Sequence, residues 1–462
     1  MNASTDNIAS TLARFAAELR YEAIPEAARE RAKYLILDAV GIALASTRYE
    51  FAQRTLSAAR ELGEGDSDVI GLGAKLSLRD AMLLNATLVH GLDFDDTHGR
   101  GVIHATASCF PAALGIAAKY QSSGRELLTA YVLGMEVATR VAAVAKGGFH
   151  QVGFHPTGLI GAFGCALIAG KLQQQTVAQL AMAQGIALST ASGSLEFLED
   201  GAWTKRMHPG WAGVAGLTAA TLARHGFSGP QAAYEGRFGL FKSHLGEREA
   251  ECDYAQATAD LGRVWEVGDV AVKPVPACHF THAVADSAVI LHGQGVRLEE
   301  IVRITALVPK ETVGIVCEPL AAKRKPANSY EAQFSVPYAI ASGLLRGHFG
   351  LVDLEPDAFA DPAALALMSK VDYQVDSQSG FPRYYSGEVI VRLKDGRELR
   401  HREAINRGAA DRPLSSDDIT AKFLENALTA VAPQRAQTIL DAVLDLDGGS
   451  AQVLSRTLAA AA

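Results

Sequence analysis

The feature that most constrains the fold of this chain is the helical spacing of its apolar residues, which continues from about residue 8 to residue 250. In "IPEAARERAKYLILDAVGIALAS" a proline stands near the start, and apolar residues recur three and four positions apart, as on one face of a helix. "RELLTAYVLGMEVATRVAAVA" and "WAGVAGLTAATLARHGF" repeat this pattern. We therefore predict that this half of the chain is an all-helical bundle.

The spacing changes near Trp265 and changes back after "RPLSSDDI". "RLEEIVRITALVP" alternates like a strand, and "GEVIVRLKDGRELRHRE" contains two alternating runs around the turn residues 394–396, which predicts a hairpin. The helical spacing then returns, with Ser415 or Ser416 as the expected N-cap. The order of elements is therefore α, then α+β, then α.

A terminal helical segment that packs against the first bundle would make the helical domain discontinuous. We predict a mainly-α protein in which a large discontinuous all-helical domain, residues 1–268 and 410–462, accepts a smaller inserted α+β lid domain, residues 269–409. A chain of 462 residues is long enough for two or three domains, each with its own core.

Composition and charge exclude several classes of partner. The net charge is −8 and Lys and Arg are scattered singly, so we expect no basic surface that neutralises nucleic-acid phosphates. The N-terminus lacks the apolar core of a secretory signal, and the apolar stretch 158–170 is shorter than the roughly 20 residues of a membrane span, which predicts a buried helix. We expect a cytoplasmic protein with five reduced cysteines and no nucleic-acid or membrane partner.

The segment "HGLDFDDTHGRGVIHATASC", residues 90–109, concentrates histidines and aspartates ahead of an apolar run. A magnesium-diphosphate site needs the order DDxxD, which this segment lacks. A zinc or iron site needs converging ligands, and the spacing of His90, Asp93 and His98 does not place them on one helix face. The residues alone leave a metal site, acid–base chemistry without a metal, and the simpler interpretation that residues 95–97 cap or turn the chain into the next helix open.

Two further segments place basic residues at the start of an apolar helix. In "GFHPTGLIGAFG" this residue is His155, and in "GAWTKRMHPGWAGVAG" Lys205, Arg206 and His208 precede a Gly- and Ala-rich run. The unpaired N–H groups and the positive dipole end of a helix favour an anion at such a place. The two segments together indicate an acidic ligand, although a solvated helix cap gives the same pattern when either is taken alone.

The segment "VAVKPVPACHFTHAVADSAV" brings Lys273, Cys278, His279 and His282 ahead of a helical run. A cysteine beside a histidine can form a thiolate nucleophile. The sequence shows no third residue at a spacing that would orient the histidine toward the cysteine. Cysteine is more often a small buried apolar residue. The residues alone leave the role of this segment open.

The four segments, with "YEGRFGLF" and "FSVPYAIASGLL", resemble the MmgE/PrpD family in kind and order, and the resemblance covers nearly the whole chain. It implies a large helical domain closed by the C-terminal helices, a smaller α+β lid, a homodimer, and no metal or organic cofactor. It implies catalytic positions at Asp93, His104, His155, Lys205, Lys273 and Tyr338. Substrate-binding positions are expected at Thr97, Arg206, His208, Cys278, His279 and His282.

The resemblance also implies a class of reaction. Activities of the family include dehydration of 2-methylcitrate, decarboxylation of cis-aconitate and epimerisation of iminodisuccinate. Such residues suit removal of a proton beside a carboxylate, with Lys205, Lys273 and a protonated histidine holding the resulting dianion. We predict a cofactor-free hydro-lyase for a hydroxy-polycarboxylate of the 2-methylcitrate type, with an epimerase or racemase of a dicarboxylate, or a cis-aconitate-type decarboxylase, as alternatives.

Two departures from the family pattern bear on the substrate. Ala105 stands where much of the family has proline, and Cys278 stands where the dehydratase has an acid and the decarboxylase a histidine. The missing acid favours the epimerase somewhat. A metal-dependent hydrolase and a non-catalytic carboxylate-binding protein are the remaining hypotheses.

Within the first segment we assign different roles to neighbouring residues. His104 or His155 is the expected base, because an imidazole exchanges protons near neutral pH. Asp93 is expected to fix a histidine tautomer or a substrate hydroxyl. Asp95 is expected only to shape the loop, so that Asp95→Asn would leave proton exchange intact.

Overall fold

The computed structural model describes residues 7–459. Helices make up 59% of the structure and the sheets are small, which confirms the predicted mainly-α fold. The chain divides into two compact units: the first contains the residues up to Val270 and again those from Ser415, and the second contains Ala271–Leu414. The predicted domain boundaries and the role of the inserted part as a lid stay predictions.

Helices follow one another in the first unit almost without strands. In chain order they are α1 (Ile8–Glu18), α2 (Glu26–Ser46), α3 (Glu50–Leu62), α4 (Leu78–His90), α5 (Ala105–Lys119), α6 (Gly124–Val144), α7 (Gly148–Gln151), α8 (Pro156–Leu159), α9 (Gly161–Leu172), α10 (Val177–Ala187), α11 (Phe197–Asp200), α12 (Thr204–Arg224) and α13 (Leu240–Leu245). The short strands are β1 (Ser67–Asp68), β2 (Lys75–Leu76) and β3 (Thr97–His98), and β4 (Val270–Ala271) spans the boundary between the two units in the sequence. β1 and β2 pair antiparallel.

Helix α6 lies in the interior of the first unit. A capping box fixes its start, because the Glu126 N–H donates to the Ser123 side chain and the Ser123 N–H donates to the Glu126 carboxylate. In the part of the chain that the structure describes, α6 is the one helix long and apolar enough to cross a membrane, and its apolar stretch is entirely buried. The stretch 158–170 lies in α8 and α9 and is also buried, which confirms the predicted buried helix.

Helix α12 packs closely against α4 and α9 because glycines stand at both contacts. A Cβ atom at Gly210 would lie 2.5 Å from the carbonyl oxygen of Leu83 in α4. A Cβ atom at Gly216 would lie 2.5 Å from the main-chain nitrogen of Ala166 in α9. Only residues without a side chain permit such an approach. This packing sets the separation between α12 and α4, the helix that ends at His90.

The second unit combines a small sheet with helices. Its helices are α14 (His282–Gly293), α15 (Val313–Val316), α16 (Leu320–Lys323), α17 (Ser329–Gln333), α18 (Val336–Arg346), α19 (Pro356–Phe359) and α20 (Pro362–Met368). Its strands are β5 (Ile301–Val308), β6 (Val371–Val375), β7 (Gly387–Leu393) and β8 (Glu398–Glu403), in the spatial order β6-β5-β7-β8. β5 pairs parallel with β6 and antiparallel with β7. β7 and β8 pair antiparallel, with Val389 opposite His401, which confirms the predicted hairpin.

The last helices, α21 (Ser416–Ala427), α22 (Pro433–Leu444) and α23 (Ala451–Ala459), belong to the first unit again. Ser415 is the N-cap of α21, as predicted. Lys422 of α21 lies 2.7 Å from the Asp38 carboxylate of α2 and donates to the Phe94 carbonyl at 2.9 Å. Phe423 packs where Gly41 leaves room on α2. The C-terminal helices therefore complete the interior of the first unit.

Candidate active site

Three imidazoles meet at helix ends in the first unit. His90 is the last residue of α4, His104 is the N-cap of α5, and His155 is the N-cap of α8. The ring centroids of His90 and His104 lie 5.0 Å apart, those of His90 and His155 5.5 Å, and those of His104 and His155 6.1 Å. The predicted residues His104 and His155 therefore share one site, and His90, which is not among the predicted positions, belongs to it as well.

A buried carboxylate links two of these imidazoles. The Oδ2 atom of Asp95 lies 2.8 Å from Nδ1 of His90 and 3.7 Å from Nδ1 of His104. Asp95 is 1% exposed, so water solvates its charge poorly and a positive charge nearby is needed to stabilise it. Asp95, interpreted from the sequence as a residue that only shapes the loop, instead contacts both rings.

Hydrogen bonds determine how His104 presents its ring. Its Nδ1 lies 2.7 Å from the carbonyl oxygen of Asp96, which can only accept, so Nδ1 carries the hydrogen. In the neutral ring the lone pair is then on Nε2, the atom that can take a proton. Thr97 Oγ1 lies 3.3 Å from Nδ1, and the main-chain N–H of His104 donates to Thr157 Oγ1 at 3.1 Å. The predicted residues Thr97 and His104 are neighbours.

His155 and His208 form a second pair of imidazoles. Their Nδ1 atoms lie 3.1 Å apart, so one ring donates and the other accepts. Burial lowers the pKa of both rings, and electrostatic interaction with His90 and Lys205 lowers it further, so that the pKa of His208 falls to about 4. Both rings are neutral at pH 7, and the pair brings the predicted residue His208 to His155.

Lys205 in the first turn of α12 is held by Asp93. Its Nζ lies 2.6 Å from Asp93 Oδ1, and both residues are buried. Asp93 has a φ of 51°, in the left-handed region that aspartate tolerates better than most residues. The two predicted residues are therefore in contact, and the Asp93 carboxylate balances the charge of the Lys205 ammonium group.

Two basic residues near this segment have other neighbours. The guanidinium of Arg206 lies over the rings of Phe51 and Trp203, 4.6 and 5.4 Å from their centroids, which is a cation–π arrangement. Nε2 of His98 lies 3.0 Å from the Glu266 carboxylate. A substrate-binding role for Arg206 stays a prediction, and His98 is part of a separate ion-pair group.

Asp96 has an environment unlike that of its neighbour Asp95. Its carboxyl accepts a hydrogen bond from the Thr106 hydroxyl, and Thr106 Oγ1 lies 2.7 Å from the Tyr131 hydroxyl. Burial raises the pKa of Asp96 to about 8, against the effect of the Thr106 hydrogen bond, and the carboxyls of Asp95 and Asp38 raise it further. Asp96 therefore keeps its proton at pH 7.

The grouping of His90, Asp95 and His104 also has to be considered as a metal site. One possible ligand atom from each lies within 4.8 Å of the others. Nδ1 of His90 faces the Asp95 carboxylate and Nδ1 of His104 faces a carbonyl oxygen, which are hydrogen-bond arrangements that use the N–H groups. With its Oδ2 atom accepting from His90, Asp95 serves in this structure as a hydrogen-bond partner of the rings and not as a metal ligand. The expectation that no metal is needed stays a prediction.

Four predicted residues are buried in the second unit: Lys273, Cys278, His279 and His282. The rings of His279 and His282 lie 4.6 Å apart. Asn406 Nδ2 donates to Nε2 of His279 at 2.9 Å, and Nε2 of His282 donates to the Ala277 carbonyl at 3.1 Å. The second unit thus brings the two histidines together, and the roles of all four residues in a site stay predictions.

Tyr338 is a buried residue of α18 in the second unit. Its hydroxyl donates to the main-chain carbonyl of Asp353. Burial raises its pKa to about 12, although the Arg346 guanidinium acts in the other direction. The hydroxyl thus contributes to the internal structure of this unit, and a catalytic role for it stays a prediction.

The family is established by comparison with known sequences. The MmgE/PrpD N-terminal domain matches residues 10–253, and the MmgE/PrpD C-terminal domain matches residues 275–447. These matches cover most of the chain, which therefore belongs to the MmgE/PrpD family, as its motifs predicted.

Several curated relatives are similar over nearly their whole length. A cis-aconitate decarboxylase-like protein of Aspergillus oryzae is 26% identical over 470 residues, with 96% of this chain and 95% of the relative covered. The cis-aconitate decarboxylase of Homo sapiens is 27% identical, with 90% of this chain and 87% of the relative covered. That of Aspergillus terreus is 25% identical, with 95% and 93% covered. The family and these relatives are enzymes.

Proposed function

We propose that this chain is a lyase that acts on a di- or tricarboxylate through a carbanion next to a carboxylate. The observation that carries the proposal is the group of imidazoles beside the Lys205–Asp93 ion pair. Neutral imidazoles exchange protons near pH 7, and an ammonium group stabilises negative charge that grows on a bound substrate. The relatives, named as cis-aconitate decarboxylases, support an acidic substrate of this kind.

His104 is the residue to which we assign the proton transfer. Its Nδ1 is committed as a donor to the Asp96 carbonyl, so the lone pair of the neutral ring is on Nε2. His155 is the second candidate, because its low pKa keeps it neutral but also makes it a weaker base. Lys205 is assigned to the charge that develops on the substrate carboxylate or enolate.

Two lyase outcomes follow from the same intermediate. In decarboxylation the bond to a carboxyl group breaks, carbon dioxide leaves, and the electron pair left on carbon takes a proton from an imidazolium. In dehydration an imidazole removes the proton beside the carboxylate, and the hydroxyl group leaves as water. The names of the relatives favour decarboxylation of a cis-aconitate-like acid for this chain. Dehydration of a 2-methylcitrate-like hydroxy acid is the second candidate, because neutral imidazoles suit proton removal.

The test is to incubate the purified protein with cis-aconitate, 2-methylcitrate, citrate and iminodisuccinate in deuterated water. Decarboxylation gives carbon dioxide and a product with one deuterium on the former carboxyl-bearing carbon. Dehydration gives an alkene and, if proton removal is reversible, deuterium in recovered substrate. Epimerisation gives deuterium and inversion without loss of water or carbon dioxide, and would replace the lyase proposal.

Two controls make the result specific. His104→Gln should lose turnover and deuterium incorporation nearly completely, because the base is gone, while retaining its circular dichroism spectrum. His225→Gln, in an exposed residue at the end of α12, should behave as the parent protein. Binding of these acids without any isotope exchange or product would show a carboxylate-binding protein instead of a lyase.

A further inference from the structure

The least expected feature of the site is one buried carboxylate shared by two imidazoles. We propose that Asp95 is the positioning residue of this site: it holds His90 with its hydrogen on Nδ1 and supplies the negative charge that faces His104 when that ring is protonated. This inference rests on the proposed function, because it concerns the ring to which proton transfer is assigned. Asp95 would act through the imidazoles and not by touching the substrate.

The position of Asp95 fixes the tautomer of His90. Asp95 Oδ2 lies 2.8 Å from Nδ1 of His90, a normal hydrogen-bond distance, so His90 donates and its Nδ1 carries the hydrogen. The lone pair of His90 is then on Nε2, which is buried and has no hydrogen-bond partner among residues 7–459. The His90 ring stacks on that of His155 at 5.5 Å. The hydrogen bond to Asp95 therefore fixes the His90 ring against which the His155 ring lies.

The charge of Asp95 also acts on His104. Nδ1 of His104 lies 3.7 Å from Asp95 Oδ2, too far for a good hydrogen bond but close enough for a strong Coulomb interaction in a buried site. When Nε2 of His104 takes a proton from substrate carbon, the bonding electron pair stays on carbon and the ring becomes an imidazolium. Asp95 then faces a full positive charge. In dehydration or exchange the proton leaves with the hydroxyl group as water or returns to carbon. In decarboxylation the imidazolium gives its proton to the carbon that has lost carbon dioxide, and the ring takes a new proton from solvent.

Other charges around Asp95 do not supply this function. Asp38 of α2 pairs with Lys422 of α21, and Lys205 of α12 pairs with Asp93. Other titratable or charged groups near the cluster, among residues 7–459, include Asp96, Arg31, His155 and His208. Asp96 is protonated at neutral pH, and burial lowers the pKa of His155 and His208. Asp95 is therefore the carboxylate placed to balance an imidazolium at His104.

Asp96 provides a matched comparison on the same loop. Both aspartates are buried, and they are consecutive residues of the same loop. Replacing Asp96 by asparagine changes little charge below about pH 7, because its carboxyl keeps a proton up to a pKa of about 8. Replacing Asp95 by asparagine removes the charge that faces His104. The two variants therefore separate loss of charge from disturbance of the loop.

The experiment is an NMR titration of the histidine rings without substrate, with the His104 signal assigned by its loss in His104→Gln. In Asp95→Asn the pKa of His104 should fall by about one unit or more, since an opposite charge within 4–6 Å commonly raises a basic pKa by 1–3 units. In Asp96→Asn, measured below pH 7, the pKa of His104 should stay within about half a unit of its value in the parent protein. With substrate, kcat of Asp95→Asn should fall roughly tenfold or more with little change in KM. The limb of the kcat/KM profile that His104 sets should move to lower pH: the acid limb if the ring removes a proton, and the alkaline limb if its imidazolium donates one.

Several outcomes would overturn the inference. An unchanged His104 pKa in folded Asp95→Asn would show that the carboxylate does not govern this ring. An equal fall in Asp96→Asn would show that loop structure and not charge is responsible. If Asp95→Asn does not fold, Asp95→Glu keeps the charge, and a His104 pKa more than about one unit below the parent value there would also contradict the proposal. Because the titration needs no substrate, it remains decisive even if the proposed lyase activity is absent.

Discussion

Among individual residues, Lys205 is the positively charged side chain on which the proposed chemistry depends. Lys205 is the cation assigned to the substrate, yet its Nζ already lies 2.6 Å from the Asp93 carboxylate. An ion pair in a buried position contributes little net stability but is costly to break by removing one partner. Activity and stability effects at this pair must therefore be separated.

We expect Lys205→Met to lower kcat roughly a hundredfold or more, as when one group that stabilises a developing anion is lost. It should also lower the melting temperature, because Asp93 keeps a buried charge without its ammonium partner. The double variant Lys205→Met with Asp93→Asn should recover stability but not activity. Lys242→Met, in an exposed lysine of α13, is the control. Near-normal turnover of the single variant would place Lys205 outside the chemistry.

Asp96 gives a prediction for pH dependence. Burial raises its pKa in the folded protein from 3.8 to about 8. Between these values the folded state holds a proton that the unfolded state has lost, so stability falls as pH rises, by about 1.4 kcal/mol per pH unit for one such group. We expect Asp96→Asn to remove this slope, which thermal melts from pH 5 to pH 8 would measure. Parallel curves for the parent protein and the variant would show that Asp96 is ionised in the fold.

Part of the site follows from the sequence, and the reason is local. His155 and Lys205 lie in segments whose residue types already indicate an anion site, His104 and Asp93 follow from the family resemblance, and the structure places all four in one unit. Asp95 and His90 are different, because their roles depend on a contact between the end of α4 and the loop after it. An aspartate before a helix is usually a cap, and no spacing rule distinguishes it from one that bridges two rings.

At the scale of elements, the packing of α12 on α4 carries the next prediction. A Cβ atom at Gly210 would lie 2.5 Å from the Leu83 carbonyl, so main chain would have to move. We expect Gly210→Ala to destabilise the protein by about 1–3 kcal/mol, the usual range for overpacking, and to lower activity because α4 ends at His90. Denaturant unfolding and turnover at one substrate concentration measure the two effects.

Gly213 on the same helix is the matched control. A Cβ atom there meets only the Met82 Cε at 3.2 Å, the far end of a flexible side chain. Gly213→Ala should therefore be neutral or slightly stabilising, since alanine favours helix by up to about 1 kcal/mol over glycine. Equal losses for the two variants would mean that general helix disturbance, and not the contact with α4, limits this packing.

Local rules predicted many elements of the fold. The hairpin of β7 and β8, the N-cap Ser415 and the helical first half all follow from alternation, turn residues and caps. The parallel pairing of β5 with β6 does not, because β6 is five residues long and its partner lies far away along the chain. The glycine contacts of α12 are equally invisible in the sequence, where a glycine within a helix looks only unfavourable.

At the scale of the whole molecule, the C-terminal helices complete the first unit. Lys422 pairs with buried Asp38, and Phe423 fills the space beside Gly41. We expect a chain that ends at Leu414 to lose cooperative thermal unfolding, because the interior of α2 would be exposed and Asp38 unpaired. Supplying residues 415–462 as a separate chain should restore it in part. A cooperative melt of the shortened chain at the parent temperature would contradict this.

Metal content is a second property of the whole protein. Because the Asp95 carboxylate accepts a hydrogen bond from His90 and the family resemblance implies no metal, we expect no stoichiometric metal after purification and full turnover in a chelator. Elemental analysis and activity after dialysis measure both. The opposite result would be bound zinc or iron whose removal abolishes turnover and whose return restores it, with the bound amount halved or lost in His90→Gln.

Because the chain returns to its first unit at its C-terminal end, the two parts of that unit are synthesised at different times. Helix α2, with Asp38, leaves the ribosome early, and its partner α21 follows only after Ala271–Leu414 has been made. At roughly 5–20 residues per second, the delay between Asp38 and Lys422 is on the order of tens of seconds. During that time the face of α2 that will receive Phe423 is open to chaperones or to other nascent chains. A truncated messenger RNA would give a chain without α21, whose exposed apolar face on α2 favours aggregation. The yield of folded protein therefore depends on how reliably translation reaches the last helices.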